Sequence, residues 1–204
     1  MTNLFRTFAA GAVVLGMGTT SLAESPSGNR IRVPAVPPEL EVPTGYSVFL
    51  KGQAAGTQNY ICLPSSTGTT WKFFAPQATL FQKFRGDLYQ QIATHFLAPS
   101  PKEPGTLRPA WLHSFDSSQV WGRMIASSTD ASFVEPGAIP WLLLEMAGAE
   151  PGPSGGGILA QTAYIQRLNT SGGAAPAGPC TQIGTIVMVP YTTDYYFYRS
   201  NRRH

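Results

Sequence analysis

Charge is what this chain has least of. Only 12% of its 204 residues are charged, about half the ~25% of an average soluble domain. The formal net charge of +3 is too small for the dense basic surface of a nucleic-acid binder, so no nucleic-acid partner is expected. Cysteine is almost as scarce. Cys62 and Cys180 are the only two, and no C-x-x-C pair exists, which excludes a thioredoxin-type or zinc-finger role on spacing. No apolar run reaches the ~20 residues that cross a bilayer, so no transmembrane segment is expected. The Walker pattern and the G-x-S-x-G elbow are both missing. No window keeps a 3.6-residue apolar period over three turns.

What is present is Gly, Pro and aromatic residues. The chain has 21 Gly and 18 Pro, more than a coiled coil or helical bundle absorbs. Its 43% hydrophobic and 11% aromatic content excludes a disordered chain.

The N-terminus reads as an address. Arg6 is followed by an apolar run over residues 8–17, then by Ser21-Leu22-Ala23 before Glu24. Charge, apolar run and small-residue cleavage site occur in the order of a secretory signal peptide over residues 1–23. The competing reading is a short buried helix. Export makes the protein secreted or periplasmic, and in an oxidising compartment the two cysteines read as one disulfide. Closing so long a loop would stabilise the fold by on the order of 5 kcal/mol in the chain-entropy model. Two buried free thiols remain the alternative.

Residues 24–45 are polar and Pro-rich, an extended lead-in arm. Residues 46–204 form the domain. Short runs of β-prone residues alternate there with Gly/Pro/Ser clusters. Strands are expected over 46–50, 57–63, 69–75, 78–84, 91–97, 111–115, 119–127, 139–146, 159–168, 183–189 and 194–199. Turns are expected at 52–56 and 64–68, a strand stop at Pro76, loops at 99–109 and 169–179, and a flexible loop at 148–157. The 139–146 run is apolar enough to be buried on both faces. Together these predict an all-β single domain, an antiparallel β-sandwich or barrel with long Gly/Pro-rich loops and at most one short helix.

Gly155-Gly156-Gly157-Ile158-Leu159-Ala160 matches G-x-G-x-x-G/A. A dinucleotide site also needs the glycines directly after a strand and an acid ~20 residues on. Here residues 148–154 intervene, and no Asp or Glu occurs between Glu150 and Asp194. A flexible loop is the better reading, and no cofactor is expected. His95 and His113 could join Asp116 or Glu103 as metal ligands or as a general-base system. Their spacing does not demand it, and no metal is assigned. The acids available for paired-carboxylate chemistry are Asp87, Asp116, Glu135, Glu145 and Asp194. Trp111 and Trp121 are candidates for exposed faces that stack on sugar rings. The Tyr191–Arg199 run is read as a strand whose Tyr hydroxyls reach the rim.

Several strings resemble a secreted bacterial and fungal family, domain of unknown function 3455. They are Pro38-x-Leu40-x-Val42-Pro43-x-Gly45, Gly56-Thr57-Gln58-x-Tyr60-x-Cys62, Trp71 to Leu80, His95 and Pro136 to Leu144. The most specific are Tyr164 to Gly173, Cys180, and Val189-Pro190-Tyr191-Thr-Thr-Asp194-Tyr195-x-Phe197-Tyr198. This chain departs from the family around residues 98–110, where it carries extra Pro-rich residues. The resemblance implies export and one β-rich domain, and no established activity.

Three functional readings follow. The leading one is a binding or interaction module for a glycan, small ligand or envelope partner, with Gln58, Tyr60, Trp111 and Tyr191 as ligand-binding candidates. The second is a secreted acid/base enzyme, a lyase, isomerase or hydrolase, using His95 with Asp116, Arg167 or Asp194. The third is a structural envelope protein without a pocket. Whether His95, Asp116, Arg167 and Asp194 converge in one hollow separates them. The sequence leaves oligomeric state open.

Overall fold

Aromatic and β-branched residues at alternate positions support eight long strands: β1 (Tyr46–Ser65), β2 (Gly68–Arg85), β3 (Leu88–Pro99), β4 (Leu107–His113), β5 (Gln119–Ser128), β6 (Trp141–Glu150), β7 (Tyr164–Gly172) and β8 (Ile186–Ser200). The computed structural model describes residues 30–202. The leader expected over 1–23, the first residues of the arm and His204 lie outside the described residues. Each strand pairs antiparallel with its sequence neighbour, and β8 returns to β1, closing a barrel. Of the two architectures expected, the barrel is the one formed. The β1–β2, β3–β4, β5–β6 and β7–β8 connections therefore lie at one end, here called the mouth. The other connections lie at the floor.

Along β8, Tyr191, Tyr195 and Phe197 point into the barrel, while Tyr196 and Tyr198 point out. Both sets are buried, because the arm covers the outer face of β6–β8. Its 3-10 turn, Pro38–Leu40, seats Leu40 against Trp141, Leu143, Leu168, Tyr196 and Tyr198. Gln166 fastens it, donating from Nε2 to Leu40 O (2.6 Å) and accepting from the Tyr198 hydroxyl (2.5 Å). The run 139–146 is thus covered on both sides, with Leu144 inside and Leu143 under the arm.

Several expected breaks are not breaks. The turn expected at 52–56 is the middle of β1. Gly56 is there for close approach, since a Cβ on it would lie 2.1 Å from Gln77 O and 2.5 Å from Ala78 Cα. Pro76 does not end β2. It sits beside a bulge and before pairing with β3 begins at Ala78, places where a strand tolerates proline. In the same way β8 runs through Pro190. The strand expected from Leu159 begins only at Tyr164. Residues 158–161 turn instead, because Ile158 N donates to Asp116 Oδ2 and Leu159 N to Ser118 Oγ (2.8 and 2.9 Å).

The loop expected to be flexible at 148–157 is docked. A Cβ on Gly156 would lie 2.3 Å from Asp116 Cβ, and one on Gly152 would overlap Asp116 O. These glycines let the β6–β7 connection press on the β4–β5 turn and close the floor, with Leu159 fully buried beside Ile165. At the mouth, β1 and β2 extend past the other strands together with the start of β8. The disulfide Cys62–Cys180 (Cα–Cα 5.8 Å) ties the 174–185 connection to this ribbon. Backbone bonds Cys62 N→Thr185 O and Gly184 N→Cys62 O (both 2.9 Å) align it.

Candidate functional site

An eight-stranded barrel is just wide enough to be filled by side chains or to hold one small ligand. This one does both. Trp111, Phe197, Ile165, Leu80 and Val120 fill its lower part. Above them, at the mouth, is a cavity of about 490 Å³ to which every strand contributes. Gln58 and Tyr60 come from β1, Phe73 and Pro76 from β2, and His95 from β3. β4 gives Pro109 and Trp111, β5 gives Met124 and Ser127, and β6 gives Leu142 and Leu144. Arg167 of β7, Tyr195 of β8 and the turn residues Ile139 and Pro140 complete it.

The walls are aromatic. His95 stacks on Trp111 (centroids 4.3 Å, planes 12° apart), and Tyr195 meets both edge-on at 5.3 and 5.4 Å. Tyr60 is fixed by donating to Gly173 O (2.7 Å). His95 Nδ1 lies 2.9 Å from Ala110 O. A carbonyl only accepts, so Nδ1 carries the hydrogen and Nε2 keeps a lone pair. Burial pulls the His95 pKa from 6.5 down to about 3, the bond to Ala110 O opposes this, and the Arg167 charge adds to it. The ring is neutral at neutral pH. Burial raises the Tyr60, Tyr191 and Tyr195 hydroxyls, and the Arg167 charge opposes each rise. Arg167 itself donates from Nε and Nη2 to Pro140 O (3.2 and 2.8 Å).

The candidate residues read from the sequence divide. His95, Arg167, Gln58, Tyr60 and Trp111 share the cavity. Tyr191 is buried just behind it, its hydroxyl 3.5 Å from that of Tyr195. Asp116 does not join them. It holds the floor, where Oδ1 accepts from His113 Nδ1, Ser118 N and Ser118 Oγ at 2.8, 3.0 and 2.7 Å. Burial would raise its pKa, but the bonds from Ile158 and Ser118 and the His113 ring hold it well below the usual carboxylate range. Asp194 lies outside the barrel wall, paired with Lys51 Nζ (2.9 Å) and Asn169 Nδ2 (2.9 Å). Glu145, also outside, pairs with Arg123.

The two tryptophans that were candidates for exposed faces are buried. Trp111 is 1% and Trp121 5% exposed, so neither offers a flat surface platform. Trp111 can meet a ligand only from within the cavity. The tyrosines of the 191–198 run are likewise buried as residues, with the Tyr196 hydroxyl directed to Asp194 on the outer wall. The apolar lining from Phe73, Met124, Leu142 and Ile139 was not anticipated. Its signal is the two-residue period of each strand, which becomes legible only once register is known.

Among the described residues, no group of three metal-ligating side chains gathers, and no helix is long and apolar enough to cross a membrane. Residues 43–199 match a family model described as "Protein of unknown function (DUF3455)". The chain belongs to that family. No curated protein and no solved structure matches it.

Proposed function

We propose that this chain is a small-ligand-binding barrel that works outside the reducing cytosol. The observation that carries the reading is the mouth cavity. It is about 490 Å³, built from all eight strands, and walled by aromatic and aliphatic side chains with a few polar groups among them. That size and lining match the usual small-molecule site. The lower barrel is packed solid, so the hollow is a local feature of the mouth and not a loosely filled core. The Cys62–Cys180 bond supports an oxidising compartment.

The acid/base set named from the sequence has no matching support, because Asp116 and Asp194 lie away from the cavity. His95, kept neutral by burial, serves here as a wall and a hydrogen-bond acceptor.

Fluorescence titration with the uncharged apolar probe N-phenyl-1-naphthylamine tests the reading. Saturable enhancement at one site is expected, and Ser127→Trp, which fills the hollow, should abolish it. A protein that shows no saturation, or a filled variant that binds as well as the original, overturns the proposal.

A further inference from the structure

Arg167 is placed unlike the other cations. Among the described residues, Lys51, Arg108 and Arg167 are the cations not exposed to solvent. Lys51 pairs with Asp194 and Arg108 with Glu103. Arg167 has no carboxylate within ion-pair distance among the described residues; it donates to the Pro140 carbonyl and lies against the Tyr195 hydroxyl, both neutral partners. A guanidinium carries five N–H groups. The Pro140 carbonyl engages Nε and Nη2, which fixes the plane of the fork and leaves it more N–H groups than its neutral partners use. Arg167 lines the cavity, and its charge acts on His95, Tyr60, Tyr191 and Tyr195.

A second observation is independent of Arg167. Gln58 lines the same cavity and is 3% exposed; its Nε2 makes no hydrogen bond of good geometry and has only the Tyr191 hydroxyl as a polar neighbour. Trp111 Nε1 is also buried without a partner. Buried donors left unpaired are rare, because each loses its water without replacement. Here two buried donors, Gln58 Nε2 and Trp111 Nε1, stand in the same lining as a cation that has no carboxylate partner. Pairing that cation inside an apolar wall needs an anion with two acceptor oxygens, the geometry in which Arg binds best.

We infer that the cavity takes a small apolar carboxylate, its head group on the Arg167 guanidinium beside Gln58 Nε2 and its body against Phe73, Trp111 and Leu142. The inference rests on the binding reading above and names its ligand class. The carboxylate supplies the missing counter-charge, while the aromatic walls take the apolar body. A neutral ligand of the same shape leaves the cation uncompensated.

Calorimetric titration with 1-naphthaleneacetate and its uncharged partner 1-naphthaleneacetamide separates the two claims. The original protein should bind the carboxylate at least about tenfold tighter than the amide, the range of a charge-assisted hydrogen bond. Arg167→Met should erase that preference while keeping amide binding, which also shows that the variant is folded. Where Arg167→Met does not fold, Arg167→Lys is read instead. It keeps the charge but not the fork, so the carboxylate should weaken and the amide should not. Equal affinities in the original protein, or a preference that survives Arg167→Met, overturn the carboxylate inference and leave the binding reading standing. Binding of N-phenyl-1-naphthylamine but of neither naphthyl compound has the same meaning. No saturation with any of the three overturns both.

Discussion

The His95 imidazole lies flat on the Trp111 indole, with centroids 4.3 Å apart and planes 12° from parallel. Such a buried ring resists protonation. Folded, it stays neutral down to about pH 3, whereas unfolded it takes a proton near 6.5. Between those values the unfolded chain binds more protons, so stability falls as pH falls. The slope from this one group is about 1.4 kcal/mol per pH unit. His95→Phe keeps a ring against Trp111 but removes the proton site. Urea midpoints at pH 7 and pH 5 should therefore drop less for His95→Phe than for the original protein. An equal drop in both would show that His95 does not carry the acid sensitivity.

Asp116 acts in a lower window and with the same sign of shift. Its folded pKa is depressed, so its contribution is complete above its unfolded value near 3.8 and is lost as pH falls below it. At neutral pH, Asp116→Asn should destabilise by about 2–3 kcal/mol, because an amide N–H would face the Ile158 N–H and lose that bond. Probe binding at the mouth should stay within about twofold, since distant sites act independently. Loss of mouth binding in a folded Asp116→Asn protein would instead couple the floor to the cavity.

The β class was legible because aromatic and β-branched runs carry their own period, as at Tyr46–Leu50 and Trp71–Ala75. Strand continuity was not. Gly52, Gly56, Pro76 and Pro190 look like punctuation locally, but their neighbours across the barrel make them close-approach or edge positions. The site was half legible for a related reason. His95, Arg167, Gln58 and Tyr60 stood out as polar groups in strands, and register brought them together. Asp116 and Asp194 stood out just as clearly, but Asp116 sits in the β4–β5 turn at the floor and the register of β8 sends Asp194 to the outer wall. Nothing in the sequence reports which way a strand residue points until its partner strand is fixed.

The Cys62–Cys180 bond joins residues 118 apart in sequence. Cross-linking so distant a pair restricts the unfolded chain, for about 4–5 kcal/mol in the loop-entropy model. Cys62→Ala with Cys180→Ala should lower the urea midpoint, and reductant should lower that of the original protein but not of the double variant. A thiol assay that finds two free sulfhydryls in the untreated protein would show that the bond is not formed.

The arm is the last element to test, because it decides whether the outer face of β6–β8 is surface or core. Leu40 is fully buried there, and Leu40→Ala should destabilise by about 2–4 kcal/mol, the range for a buried leucine. Gln166→Leu removes the partner of both the Leu40 carbonyl and the Tyr198 hydroxyl. Each buried group left unpaired costs about 1–3 kcal/mol, so this variant should be hit at least as hard as Leu40→Ala despite its added apolar surface. A chain beginning at Thr44 lacks Leu40 and Val42 altogether and would uncover Trp141, Leu143, Leu168 and the faces of Tyr196 and Tyr198. A contiguous apolar patch of that kind drives association. Size-exclusion chromatography should show the shortened chain self-associating at concentrations where Leu40→Ala keeps the elution volume of the full-length protein. A shortened chain with unchanged elution and urea midpoint would mean that β6–β8 is stable bare and that the arm only lies along it.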